Sequence, residues 1–218
     1  MAWGDFVPNL LVGLVRGSER PAYGAGDQRL SLTNGGEVVV SQGLPSKSER
    51  VRMGQTWYAS IPTANAFQPV AAWPTTLANI VLYNGASKKS YVIETVWGVG
   101  ITSIAAATSF SLLAQLSATG IAAPTDNAAV LRSGRMGGTY GGSAKLAIAN
   151  TDFALTNKWD VIGESPGHPS TAIGAGVFAD VDGGWVVRPG ACFCTNVVAS
   201  TAAGTMIQGI SWTEIDLG

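Results

Sequence analysis

The sequence predicts an all-β protein, an antiparallel β-sandwich or jelly roll with an irregular N-terminal arm. Three observations support this fold class. Short segments alternate apolar and polar side chains with a period of two, as half-buried strands do. Turns rich in Gly, Asn and Asp separate these segments. Beyond the arm, no segment has the apolar periodicity of a core helix of about a dozen residues or more.

The N-terminal arm comprises residues 1–29, and residues 30–218 form a single β-sandwich domain. A few apolar residues of the arm have the rough spacing of one helix face: Phe6, Leu10, Leu11 and Leu14. Pro8 and Gly13 weaken that helix, and the chain after Ser18 reads as irregular. Such an arm either docks on another protein or covers the protein's own sheet.

Turn signals place the strands and predict which of them pair. Hairpins are expected at Asn34-Gly35, at Asn84-Gly85, at Asp182 to Gly184 and across residues 200–204. We expect loops at residues 134–142 and 164–169. The predicted strands cover residues 30–33, 37–41, 50–61, 80–83, 90–101, 108–116, 144–149, 158–163, 175–181, 185–188, 192–199 and 205–215.

The chain is poor in charge. Charged residues make up 12% and hydrophobic residues 46% of the sequence, whereas an ordinary domain carries about 25% charged residues. We therefore expect much of the surface to be buried against other copies or other proteins. The net charge is −1 and no Lys/Arg cluster occurs, so nucleic acid is not an expected partner.

Synthesis in a reducing cytoplasm is expected. The only cysteines are Cys192 and Cys194, which share one face of a strand and would strain the backbone if they were joined. They are interpreted as small buried hydrophobes. The N-terminal residues lack a basic signal region, and the apolar run Leu10 to Val15 is too short to span a bilayer. A membrane is therefore not an expected partner.

No residue pattern indicates an enzyme. His168, the single histidine, lies in a Pro/Gly loop and is interpreted as solvated. The segment Gly134 to Gly142 lacks the Gly-Lys-Ser/Thr of a phosphate loop. Asp180 and Asp182 resemble the start of a calcium loop whose other ligands are missing, which favours a turn. We predict no catalytic residue, no cofactor and no metal ion.

The tryptophans are the main candidates for a subunit interface or a sugar-binding surface. The chain has seven, of which Trp57, Trp97, Trp185 and Trp212 lie in predicted strands. Such rings are typical of a core or a subunit interface, whereas exposed ones stack on sugars. The candidate interface residues are Trp3, Phe6, Leu10, Leu11, Leu14, Trp97, Trp185 and Trp212.

Two segments of the C-terminal third resemble virion structural proteins of tailed phages. These are Gly184 to Ala191 (GWVVRPGA) and the closing strand from Ile210 to Glu214 (ISWTE). The resemblance covers about 35 residues and describes a style of strand pairing rather than a reaction. It implies a jelly roll or sandwich that forms a homotrimer, and it names no catalytic residue.

Within a virion, a capsid decoration (cement) protein is expected. A major capsid protein of a tailed phage has a long spine helix, and a fibre has repeats or a helical stem; the sequence predicts neither. The expected partners are further copies of the chain and the major capsid protein, and the expected location is the virion, after synthesis in the host cytoplasm. The alternatives are a tail or baseplate protein and a receptor-binding carbohydrate-recognition module.

Overall fold

The computed structural model describes residues 47–69, 71–75, 78–103, 107–117, 131–135, 138–150, 159–168, 174–201 and 204–216. The described elements belong to one compact unit, residues 47–217. The predicted arm, the predicted strand pair at 30–41 and five candidate interface residues lie outside the described residues. These five are Trp3, Phe6, Leu10, Leu11 and Leu14.

The described part of the chain contains ten strands, one six-residue α-helix and one 3-10 turn. The helix and the turn are α1 (Lys47–Arg52) and Thr63–Asn65. The strands are β1 (Thr56–Ser60), β2 (Ala78–Asn84), β3 (Lys89–Gly100), β4 (Thr108–Ser117), β5 (Leu131–Ser133), β6 (Ala144–Asn150), β7 (Asp160–His168), β8 (Gly176–Val187), β9 (Cys192–Ala199) and β10 (Met206–Asp216).

The strands form two five-stranded antiparallel sheets. Sheet I has the order β5-β1-β10-β3-β8, and sheet II has the order β6-β2-β9-β4-β7. Four antiparallel pairs are nested along the chain, namely β1 with β10, β2 with β9, β3 with β8 and β4 with β7. Successive pairs alternate between the sheets, which describes a long two-stranded ribbon rolled into a sandwich. This is a jelly roll, so the predicted fold class is confirmed.

The strands β5 and β6 are additions to this eight-stranded plan. They lie between β4 and β7 in the sequence, at the closed end of the rolled ribbon. β5 pairs with β1 at one edge of sheet I, and β6 pairs with β2 at one edge of sheet II. Each sheet is therefore extended by one strand on the same side of the fold.

The core lies between the two sheets and is rich in aromatic rings. β10, in the middle of sheet I, contributes Met206, Ile210 and Trp212, which are at most 1% exposed. Tyr140 contacts Trp57 edge-on with ring centroids 4.9 Å apart, and it contacts Trp212 at 6.3 Å. Inward and outward side chains alternate along the strands, as the apolar pattern of the sequence predicts.

Two predicted hairpins are wrong, although their strands are present. Residues 80–83 and 90–101 correspond to β2 and β3, which lie in different sheets, and the same is true of β9 and β10. At the first connection Asn84 has a structural role. Its Nδ2 donates to the carbonyl oxygens of Lys89 and Val187, and its Oδ1 accepts from the N–H of Ala86. The Asn side chain therefore stabilises an arch between the sheets rather than a tight hairpin turn.

Three further local predictions are corrected. The segment 50–61 is not one strand, because α1 extends through Arg52 before β1 begins. β7 continues to His168, where a loop is predicted. The turn at 182–184 is a kink within β8, where Asp182 and Gly183 have φ values of 36° and 80°. β8 remains paired with β3 on both sides of this kink.

Candidate interaction surface

The outer face of sheet I, which points away from sheet II, has a polar half covered by α1. Arg50 Nη1 donates to Glu94 Oε1 at 2.5 Å, and Thr213 Oγ1 donates to the same oxygen at 2.9 Å. Thr56 Oγ1 lies 3.3 Å from Thr213 Oγ1. All four side chains are buried. A desolvated ion pair with a further hydrogen bond therefore fixes α1 to the sheet.

The other half of this face is apolar, and we call it the aromatic patch: Trp97, Val99, Phe178 and Ile207. Trp97 and Phe178 are directly opposite each other on β3 and β8, and Val99 is opposite Ile207 of β10. Phe178 is 60% exposed, and the other three are partly exposed. Contiguous exposed apolar groups of this kind mark interaction sites on soluble domains.

A glycine allows the Trp97 ring to lie flat on the sheet. Gly209 of β10 is directly opposite Trp97. A Cβ atom at this glycine would overlap Cζ2 and Cε2 of the indole. The ring therefore lies across β10, and its position depends on the missing side chain at Gly209.

Opposite charges flank the aromatic patch at the two edges of sheet I. Arg132 of β5 is exposed, and its Nη2 donates to Ser60 Oγ at 2.6 Å. Asp180 of β8 is exposed at the other edge and is opposite Thr95 in the sheet. The patch therefore has a cationic side and an anionic side, so its electrostatic potential is directional.

The predicted interface tryptophans lie in different places. Trp212 is 0% exposed and belongs to the core. Trp185 is half-buried and packs edge-on against Phe193 of sheet II, with ring centroids 5.7 Å apart. Among the candidates within the described residues, Trp97 is the one on the outer face of sheet I. Sequence reasoning missed Phe178, although its alternation with Val177 and its shared face with Asp180 could have revealed it.

His168 is held in a hydrogen bond that the sequence does not indicate. It ends β7, where a register shift lets Ser165 and His168 meet, and Ser165 Oγ lies 2.7 Å from Nε2. The imidazole also packs against Phe110, with ring centroids 5.7 Å apart. A nucleophilic serine would need a carboxylate to orient the second ring nitrogen. The residues that the structure describes place none there.

Cys192 and Cys194 are buried and unbonded, as predicted. Both lie on the outer face of sheet II in an apolar cluster with Val81, Leu113 and Trp159. Burial raises the pKa of Cys192 to about 12 and also raises the pKa of Cys194. Both thiols are therefore protonated and unreactive near neutral pH. Within the described ranges, no cluster of three or more His, Cys, Asp or Glu side chains could hold a metal ion.

A second buried carboxylate lies at the end of β10. Glu214 accepts a hydrogen bond from the N–H of Ser143 at 3.2 Å, and Lys89 Nζ lies 3.4 Å from its second oxygen. Tyr140 Oη lies 3.4 Å from Glu214 Oε1. Desolvation, with the nearby Glu214 charge, raises the pKa of Tyr140 and of Tyr91. The cluster closes this end of the core with satisfied polar groups, which is a structural role.

No family model and no curated protein matches the chain. In the part of the chain that the structure describes, no helix has the length and apolar character needed to cross a bilayer.

Proposed function

We propose that this chain is a non-enzymatic structural protein of a tailed-phage virion, and within the virion a capsid decoration (cement) protein. The observation that carries the proposal is a jelly roll whose outer sheet face bears an exposed aromatic patch. Jelly rolls are a common architecture of capsid proteins. The exposed Phe178 beside the partly exposed Trp97, on a charge-poor domain, favours a role in assembly over one as an isolated monomer.

The occupant that we assign to the aromatic patch is a second copy of this chain. Arg132 lies at one edge of sheet I, on β5, and Asp180 lies at the other edge, on β8. Two copies can face each other through sheet I, related by half a turn about an axis that lies between them and runs parallel to the strands. The Arg132 edge of one copy then faces the Asp180 edge of the other. The patch is thus complementary to itself in charge as well as in apolar character.

Assembly through this face suits a decoration protein. An oligomer presents several identical head-binding elements at once, so each weak contact with the capsid is reinforced by its neighbours. Binding to assembled heads but not to free subunits stabilises the shell by mass action. The N-terminal arm, residues 1–29, supplies the proposed contact with the major capsid protein.

The test is the mass of the full chain by light scattering, alone and after mixing with empty heads of the parent phage. We expect an oligomer that co-sediments with heads. The patch-to-patch contact pairs two copies as a dimer, whereas the homotrimer that the resemblance implies requires the patch to contact a different surface of the next copy. Phe178→Glu places a charge in the aromatic patch without touching the core and should yield monomers. The matched control is Val161→Glu on β7, where Val161 is 48% exposed on sheet II.

Three outcomes would contradict the proposal. A wild-type monomer that ignores heads favours the tail or sugar-binding alternatives. An oligomer that survives Phe178→Glu as well as the control shows that copies associate elsewhere. Deletion of residues 1–29 should leave a folded oligomer that no longer binds heads, and loss of folding would place the arm in the domain's own core.

A further inference from the structure

A groove lies where the segment between β1 and β2 meets the first strands of sheet II. Its walls are the described residues of segment 67–75, together with Asn79 of β2 and with Asn196 and Val197 of β9. We call it the amide groove. Its volume is about 230 Å³, which is below the range of about 300 to 1,000 Å³ common for drug-sized ligands. A single small ring fits this size better than an extended ligand.

The wall of the amide groove is fixed at both ends. Phe67 exchanges two backbone hydrogen bonds with Met206 of β10, at 3.0 and 2.7 Å. Trp159 Nε1 donates to the carbonyl oxygen of Pro74 at 2.9 Å. Pro69 and Pro74 also restrict the backbone of the wall. The groove is therefore preformed, which lowers the entropic cost of binding.

The floor of the groove contains two buried side-chain amides. Asn79 and Asn196 are 4% and 5% exposed, and Asn79 Nδ2 donates to Asn196 Oδ1 at 3.1 Å. This hydrogen bond uses an N–H of Asn79 and leaves its carbonyl oxygen to accept from a ligand. The contact with Asn196 holds the Asn79 amide in place, so its carbonyl oxygen can orient a ligand that donates a hydrogen bond.

An aromatic side chain lies at the same groove. Trp73 is 50% exposed. A half-exposed indole offers a flat apolar face together with a polar N–H edge. A sugar ring combines an apolar C–H face with hydroxyl groups at its rim, and these suit an indole wall and an amide floor respectively.

The groove lining favours neutral sugars over charged ones. None of the described residues that line it is Asp, Glu, Lys, Arg or His. An anionic ligand such as a sialic acid or a phosphate would find no countercharge there. We infer that the amide groove binds one neutral sugar ring, with Trp73 against the ring face and the Asn79 carbonyl oxygen accepting a hydrogen bond from one of its hydroxyl groups. The inference is independent of the proposed function.

The test is saturation-transfer NMR on the full chain with glucose, galactose, mannose and N-acetylglucosamine, each titrated to obtain Kd. N-acetylneuraminic acid is the charged comparison. Trp73→Ala should weaken binding about tenfold or more, since it removes the stacking face. Trp73→Phe should retain part of the affinity. The matched control is Val161→Ala, which removes an exposed apolar side chain from β7, outside both the groove and the aromatic patch, and should leave Kd unchanged.

Each outcome decides the inference. Saturation transfer to at least one neutral sugar, lost in Trp73→Ala and kept in Val161→Ala, supports it. The inference is overturned by wild-type protein that binds none of the four, by equal binding in Trp73→Ala, or by equal affinity for the charged sugar. Head binding is measured separately, so a failure here leaves the decoration proposal standing.

Discussion

The strongest stability prediction concerns the buried ion pair that fixes α1. The side chains of Glu94 and Arg50 are 1% and 9% exposed. Glu94→Gln preserves shape and leaves an oxygen that can still accept from Arg50 and Thr213, so the change removes chiefly the charge. Breaking a buried pair costs about 3–5 kcal/mol, and the retained hydrogen bonds favour the lower end, about 3 kcal/mol. With a urea slope of about 2 kcal/mol/M, the unfolding midpoint should fall by about 1.5 M.

The assay is urea unfolding followed by tryptophan fluorescence, for the single variants and for the double variant Arg50→Met/Glu94→Gln. In the double variant the Arg50 guanidinium, which lacks its carboxylate partner in Glu94→Gln, is absent. The double variant should therefore recover much of the free energy of unfolding that Glu94→Gln loses. Glu49→Ala is the control, since it breaks the exposed Glu49–Arg52 pair of the same helix and should leave the midpoint near wild type. The reasoning would be refuted if Glu94→Gln lowers the free energy of unfolding by less than about 1 kcal/mol. It would also be refuted if the double variant is no more stable than Glu94→Gln alone.

Three further predictions follow from the core and the sheets. Trp212→Ala should lower the free energy of unfolding by about 3–5 kcal/mol, measured in urea, because the ring is fully buried. Trp212→Phe should cost much less, because the indole N–H has no acceptor that the change would leave unpaired. Equal losses in the two variants would contradict this. Gly209→Ala should displace the Trp97 indole and cost about 1–3 kcal/mol, with a red-shifted fluorescence spectrum; an unchanged spectrum would place the ring elsewhere. Cys192 and Cys194 should react with a thiol reagent only after unfolding. Burial raises the pKa values of both thiols in the folded state. Their contribution to the free energy of unfolding is therefore fully present below pH 9 and should decline as the pH rises from 9 towards 12. A urea midpoint that stays flat over that range would argue against this.

Among the local features, the sequence predicts the strands better than the helix. The alternation from Ser90 to Ile101 predicts β3 to within a residue at each end. The Cys-Phe-Cys spacing places both thiols on one face, where they are buried. The six residues of α1 are too few for a helical period to stand out. What defines α1 is the distant contact from Arg50 to Glu94, which no local pattern contains.

The site is less predictable than the strands. Trp97 was identified as an interface candidate by residue type, and its place on the outer face of sheet I is decided by the register with Gly209 and Phe178. The amide groove joins Asn79 and Asn196, which are 117 positions apart in the chain. Nothing in the neighbourhood of either residue indicates the other, because the two meet only when β2 and β9 pair.

The sequence by itself determined that the protein is built of antiparallel strands, because the period of two and the turn residues act over a few neighbouring positions. Only the tertiary structure decided which strands pair. In a jelly roll each short connection between nested strands crosses from one sheet to the other, so Asn84-Gly85 predicts a change of direction correctly and a hairpin wrongly. Pairing is decided by burial of both sheets against one shared core, and that free energy belongs to the whole chain rather than to any turn.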